Sequence, residues 1–271
     1  MSRYIYEFWI WTDTISTAKI SEILGTQSSE PYDPEEDDKD TLWTYQVTQT
    51  ESDLPFDFVN EFFKILAGKF EILNRYGIKN SNIWFWLNHE YDQECNLEIS
   101  PEDMERMADH DIPLCITCWK NDGGYIDLEA ETTSKYIYKL QIRAEQVTPS
   151  EISLILGQKA SRSIANTWVY EVTEMESDPA FYFVDEFFKI LEGRFESLYQ
   201  LGIKNSDITF WYLYEYDQQC NMEFNPKKMK RMGENGIKLC ITCWERGDPP
   251  PGDEEDVPDD DSESSDYGQA A

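Results

Sequence analysis

The feature that most constrains this chain is that it says nearly the same thing twice. LWTYQVTQTESD at 42–53 returns as TWVYEVTEMESD at 167–178, and FVNEFFKILAGKFEIL at 58–73 returns as FVDEFFKILEGRFESL at 183–198. YGIKNSNIWFW, EYDQECNLEIS and LCITCW follow with partners at the same offset of 125 residues, LCITCW letter for letter. Nearer the start, YIYEFWI at 4 pairs with YIYKLQI at 136, and SEILG at 21 with SLILG at 153, at an offset of 132. Repetition at this spacing predicts two copies of one folding unit, each near the size of a small domain.

The change of offset places a seven-residue insertion in the first copy, within the acidic, Pro-containing stretch at about 26–41. Its composition predicts an exposed loop. The expected organisation is a first repeat over 1–121, a linker over 122–134, a second repeat over 135–246 and an acidic, disordered tail over 247–271.

Within a copy, the residues from Tyr4 to Trp11 read as a strand. Thr148-Pro-Ser-Glu151 reads as a capping box opening a short helix that ends at Gly157, with Gly25 ending its first-copy counterpart. Trp43 to Thr48 is a second strand. Phe56, Val59, Phe62, Phe63, Leu66, Phe70 and Leu73 fall at helical spacing and predict one long helix, with Gly77 as its left-handed cap. Asn82 to Glu90 and Asn96 to Ile99 read as a hairpin around a polar turn. Ser100 opens a third helix, and Leu114 to Trp119 closes the unit as a strand. The order β-α-β-α-β-β-α-β predicts an α+β fold with a mixed or antiparallel sheet in each repeat.

This pattern resembles a family of small bacterial α+β domains catalogued as domain of unknown function 4279. The likeness rests on the short helix ending Ile23-Leu24-Gly25 and Ile155-Leu156-Gly157, on the strand carrying Trp43 and Tyr45, or Trp168 and Tyr170, and on the closing helix and strand. It covers both copies. Members of that family are similar to toxin-immunity proteins, but the family carries no established activity, and the analogy by itself licenses no function.

Each candidate chemistry has a plainer reading. In a strand, residues three apart face opposite sides, so LCITCW puts Leu114, Ile116 and Cys118 on one face and Cys115, Thr117 and Trp119 on the other. Cys95 and Cys220 stand singly on another strand, so a core strand is expected, with the six cysteines as free thiols and no metal site or cofactor. His89 and His110 are replaced by Tyr214 and Asn235 in the second copy, which argues against a duplicated histidine site. Neither a serine in a nucleophile elbow nor a phosphate-binding loop is present. Trp84-Phe85-Trp86 reads as a central strand buried on both faces.

The sharpest polar repeat is EYDQ. Glu90 and Asp92, with Glu215 and Asp217 in the second copy, read first as solvated hairpin ends. With Glu98 nearby they are also the candidate carboxylates of a metal-dependent or acid/base enzyme. A scaffold that binds peptides at a sheet edge is a further alternative.

Charge favours a further reading, although an acid surplus also serves solubility alone. The chain has 54 acidic and 23 basic side chains, a net charge of -31. Such a surface repels nucleic acid and anionic lipid and attracts basic protein. The expectation is therefore a non-enzymatic, cytoplasmic inhibitor of a basic protein partner such as a toxin, nuclease or defence enzyme. Glu35, Glu36, Asp37 and Asp38 would steer it, and Glu90, Asp92, Glu215 and Asp217 would set the register. No apolar run approaches the roughly 18 residues of a membrane helix, and the opening MSRYIYEFWIWTD lacks secretory-signal character.

Overall fold

A computed structural model describes residues 2–29, 41–92, 95–121, 134–164, 166–217 and 219–248. The expectations for Glu35 to Asp38, the linker and the acidic tail fall outside these residues. Eight α-helices and eleven strands in two sheets are found among the described residues, confirming a mixed α+β fold. No helix among them is long and apolar enough to cross a membrane.

The first half opens with β1 (Arg3–Thr12), α1 (Thr17–Leu24) and β2 (Thr41–Thr50). Ser16 accepts the Lys19 amide at the start of α1, and Gly25 ends it at φ 73°. The second half repeats this with β6 (Lys135–Arg143), α5 (Pro149–Leu156) and β8 (Thr167–Met175), and adds a short β7 (Arg162–Ile164). At α5 the expected capping box forms in both directions: the Glu151 amide donates to Thr148 Oγ1, and the Thr148 amide donates to Glu151 Oε2. The tryptophan of each W-x-Y strand is fully buried, and its indole N–H donates to a serine of the preceding helix, Trp43 to Ser21 and Trp168 to Ser153, both at 2.9 Å. A buried indole N–H left without an acceptor costs stability, and these two are satisfied.

The expected long helix is two helices. In the first half these are α2 (Phe58–Leu66) and α3 (Phe70–Arg75); in the second, α6 (Phe183–Leu191) and α7 (Phe195–Gln200). Gly68 and Gly193 sit at the breaks with φ 70° and 72°, a left-handed conformation that interrupts the helix and that glycine adopts without a Cβ clash. The apolar spacing carried through the break because both helices press onto the same core: Val59, Phe62, Phe63, Leu66 and Leu73 are all buried.

Next come β3 (Ile83–Tyr91), β4 (Cys95–Ile99), α4 (Pro101–Asp109) and β5 (Leu114–Lys120), matched by β9 (Ile208–Tyr216), β10 (Cys220–Phe224), α8 (Pro226–Glu234) and β11 (Lys238–Glu245). β3 lies between β1 and β5, but its burial alternates, so it is fully buried on one face only.

The pairing of β4 corrects the expected hairpin. The sheets run β10-β5-β3-β1-β2 and β4-β11-β9-β6-β8-β7, so each repeat completes its sheet with a strand from the other. β4 lies antiparallel to β11, with Cys95 opposite Cys243, and β10 lies antiparallel to β5, with Cys220 opposite Cys118. Polar contacts seal both pairings: Thr117 donates to Asn221 at 3.0 Å, Thr242 to Asn96 at 2.9 Å, and Lys238 binds Glu98 at 3.0 Å. Periodicity shows that a strand exists but not which of two near-identical neighbours it joins. CNLEI and CNMEF fit either LCITCW equally, and the fold resolves the tie by reciprocal strand exchange.

α4 and α8 pack against each other over the same junction. Their approach is close enough that a Cβ at Gly233 would lie 2.7 Å from the Pro101 carbonyl oxygen.

Candidate functional site

The repeated carboxylates sit at the ends of β3 and β9, but they do not gather. Glu90 is held by Arg3 at 2.6 Å, Asp217 by Arg246 at 3.3 Å, and Glu98 by Lys238 of the other repeat. Asp92 is exposed and Glu215 half-buried. Because strand exchange carries Glu98 into the opposite sheet, the triad of Glu90, Asp92 and Glu98 expected from a hairpin is not assembled.

What the exchange does gather is sulfur. Cys118 and Cys220 face each other in one sheet, Cys95 and Cys243 in the other, and all four are fully buried. Between the sheets, Cys95 Sγ lies 3.1 Å from Cys118 Sγ, and Cys220 Sγ lies 3.3 Å from Cys243 Sγ. The sulfurs of Cys95, Cys118 and Cys243 are all within 4.8 Å of one another. Cys115 and Cys240 point to the opposite face of their strands, as alternation requires, and burial pushes their thiols up to about 12 and about 11. LCITCW is thus no C-x-x-C chelate in itself; each copy contributes its second cysteine to a site completed from other strands.

Reasoning from the sequence missed this cluster because Cys95 and Cys220 looked solitary. One signal was available: both recur at the 125-residue offset, each 23 residues before the second cysteine of LCITCW. Only the pairing of β4 and β10 turns that regularity into a single centre.

His89 adjoins the cluster. It is 2% exposed, stacks on Tyr4 with ring centroids 4.1 Å apart, and places Nδ1 3.2 Å from Cys95 Sγ. Its Nε2 is buried with no hydrogen-bond partner among the described residues. Tyr214 holds the equivalent position in the other repeat, its ring tilted against Tyr136 with centroids 4.6 Å apart. Beside them, the Tyr91 and Tyr216 hydroxyls hydrogen-bond to each other across the junction.

Protons are unevenly shared among the four sulfurs. Hydrogen bonds from Cys118 and Cys243, with help from His89, hold Cys95 well below the ordinary thiol range. Burial opposes ionisation of Cys220, but hydrogen bonds from Cys118 and Cys243 bring it down as well. Cys118, through its bonds to Cys220 and Cys95, and Cys243, chiefly through burial, are raised and keep their protons. The lowered Cys95 and Cys220 beside the raised Cys118 and Cys243 make a cluster of soft sulfur donors, suited to a soft cation or to oxidation.

A second feature distinguishes the repeats. Tyr4, Tyr6, Phe56, Phe58, Leu87 and Leu97 line a cavity of about 360 Å³ in the first repeat. In the second, Tyr212 replaces Leu87, and its ring stacks against Tyr138 and Phe183 at 5.2 and 5.7 Å.

No family model, no curated protein and no solved structure matches this chain.

Proposed function

We propose that this chain is a non-enzymatic, cytoplasmic binding protein that docks onto and neutralises a basic protein partner, of the kind that itself binds nucleic acid: a toxin, a nuclease or a defence enzyme. The observation that carries this reading is the acid surplus, a net charge of -31. Internal ion pairs reinforce it. Arg3, Lys120, Arg231, Lys238 and Arg246 are each bound to a carboxylate of this chain, so much of the scarce positive charge is neutralised within the fold. An extended negative field then steers a cationic partner and repels polyanions.

The ion pairs also refine which acids do the docking. Glu90 and Asp217 are engaged with arginines, which favours a structural role for them. Glu215 and the Glu35, Glu36, Asp37, Asp38 run remain the candidates for contact and steering.

The test is to isolate the partner by native affinity capture, reconstitute the complex from pure components and titrate salt. Affinity falling steeply with ionic strength, and slower association after charge reversal of Glu35, Glu36, Asp37 and Asp38 to Lys, is the expected result. A complex indifferent to salt contradicts the reading.

A further inference from the structure

We infer that Cys95, Cys118, Cys220 and Cys243 form a tetrathiolate zinc site that staples the two exchanged strands at the centre of the molecule. Both repeats and both sheets supply ligands: Cys118 and Cys220 from one sheet, Cys95 and Cys243 from the other. A tetrahedral zinc with Zn–S bonds of about 2.3 Å sets its sulfurs about 3.8 Å apart. The cross-sheet pairs lie at 3.1 and 3.3 Å and Cys95, Cys118 and Cys243 fall within 4.8 Å of one another, so shifts of about an ångström bring these three to the required edge; Cys220, 3.3 Å from Cys243 but outside that group of three, must swing further inward to become the fourth ligand.

The chemistry of the donors selects the ion. Four sulfurs without a carboxylate among them favour a soft or borderline cation over magnesium or calcium. All four are fully buried, with no ligand position open to solvent, which is the character of a structural rather than a catalytic zinc. Loading exchanges protons for metal without redox change: zinc enters as the divalent ion, each bound thiol becomes a thiolate, and the released protons pass to solvent. The outer shell is in place, since His89 Nδ1 at 3.2 Å can donate to Cys95 and keep that sulfur oriented.

This assignment explains why Cys95 and Cys220 keep register with the second cysteine of LCITCW across both copies. It would also tie β4 and β10 to the strands they have crossed to, since each exchanged pair contributes two of the four ligands. It is independent of the docking reading and fails or stands separately from it.

The test uses the full chain, purified under reducing conditions without chelator. About one zinc per chain by elemental analysis is expected, released by a thiol-specific mercurial. Cobalt substitution should give sulfur-to-cobalt charge-transfer and tetrahedral d–d bands. The Cys115→Ser, Cys240→Ser double variant should retain the metal, and Cys118→Ser, Cys220→Ser should lose it. Because misfolding of that second variant would also lose the metal, the cobalt spectrum of the unaltered, folded chain is the deciding measurement. A reduced, folded chain with neither zinc nor a cobalt–thiolate spectrum overturns the inference. So does copper(I) in place of zinc, metal retained without Cys118 and Cys220, or a chain isolated with Cys95–Cys118 and Cys220–Cys243 disulfides that takes up no cobalt after reduction.

Discussion

Tyr91 and Tyr216, separated by one repeat length of 125 residues, are fully buried or nearly so and hydrogen-bond hydroxyl to hydroxyl where the two sheets meet. Each is the other's counterpart, so the contact is a signature of the pseudo-symmetric junction. Removing one hydroxyl strands its partner in an apolar site; removing both strands nothing. Tyr91→Phe should therefore cost about 1–3 kcal/mol, while Tyr91→Phe with Tyr216→Phe should cost less than the sum of the single variants. Denaturant midpoints of the four proteins in the cycle check this. Additive losses would show that the hydroxyls act independently.

The helix crossing makes a prediction against propensity. Alanine normally stabilises a helix interior by about 1 kcal/mol relative to glycine. At Gly233 in α8, however, the added methyl would meet backbone: the Pro101 carbonyl oxygen at 2.7 Å and the Glu105 amide nitrogen at 2.8 Å. Backbone cannot swing aside like a flexible side chain, so Gly233→Ala should force α4 and α8 apart and destabilise the protein by about 1–3 kcal/mol. Thermal unfolding measures it, and a rise in midpoint would contradict the close approach.

The cavity beside Leu87 predicts the reverse. Tyr212 shows how the same framework accommodates an aromatic ring, stacked within 7° of parallel on Phe183 and 5° on Tyr138. Tyr6 and Phe58 offer the first repeat a similar stacked pair at 5.1 Å. Leu87→Tyr should fill the cavity and add about 1 kcal/mol of stability. Calorimetry decides, and a marked loss would mean that the two repeats are shaped differently around this position.

Alkaline pH should weaken the fold. Burial, with Glu223 adding to it, raises Cys115 to about 12; burial and then Glu98 raise Cys240 to about 11, and burial raises Tyr6 to about 12. These groups stay protonated in the folded chain at pH values where the unfolded chain has begun to lose the same protons. The unfolded state then binds fewer protons, so stability falls with rising pH. The contribution is complete below the ordinary thiol value of 9.0 and is lost as pH climbs through about 11–12. Urea unfolding across this window should show the decline, and Cys115→Ser with Cys240→Ser should make it shallower.

Much of the fold was legible in the sequence because repetition and capping are local. Thr148 with Glu151, Gly25, Gly157 and the tryptophans of the W-x-Y strands declared their roles through spacing of a few residues. The helix break at Gly68 was hidden because Leu66, Phe70 and Leu73 keep facing one core on either side of it. Partner choice was hidden for a deeper reason. In a duplicated chain β4 meets two nearly identical acceptors, and no local pattern separates Cys95 beside its own LCITCW from Cys95 beside the other. The sulfur cluster inherits that ambiguity, as does Glu98, which binds Lys238 of the other repeat instead of joining Glu90.

Reciprocal strand exchange is the claim on which the thiol centre and the junction both depend, and backbone NOEs in the deuterated chain test it most directly. The pairing here predicts cross-strand contacts from Ile116 to Met222 and from Ile241 to Leu97. Contacts from Ile116 to Leu97 and from Ile241 to Met222 would instead place each strand beside its own repeat and contradict the exchange.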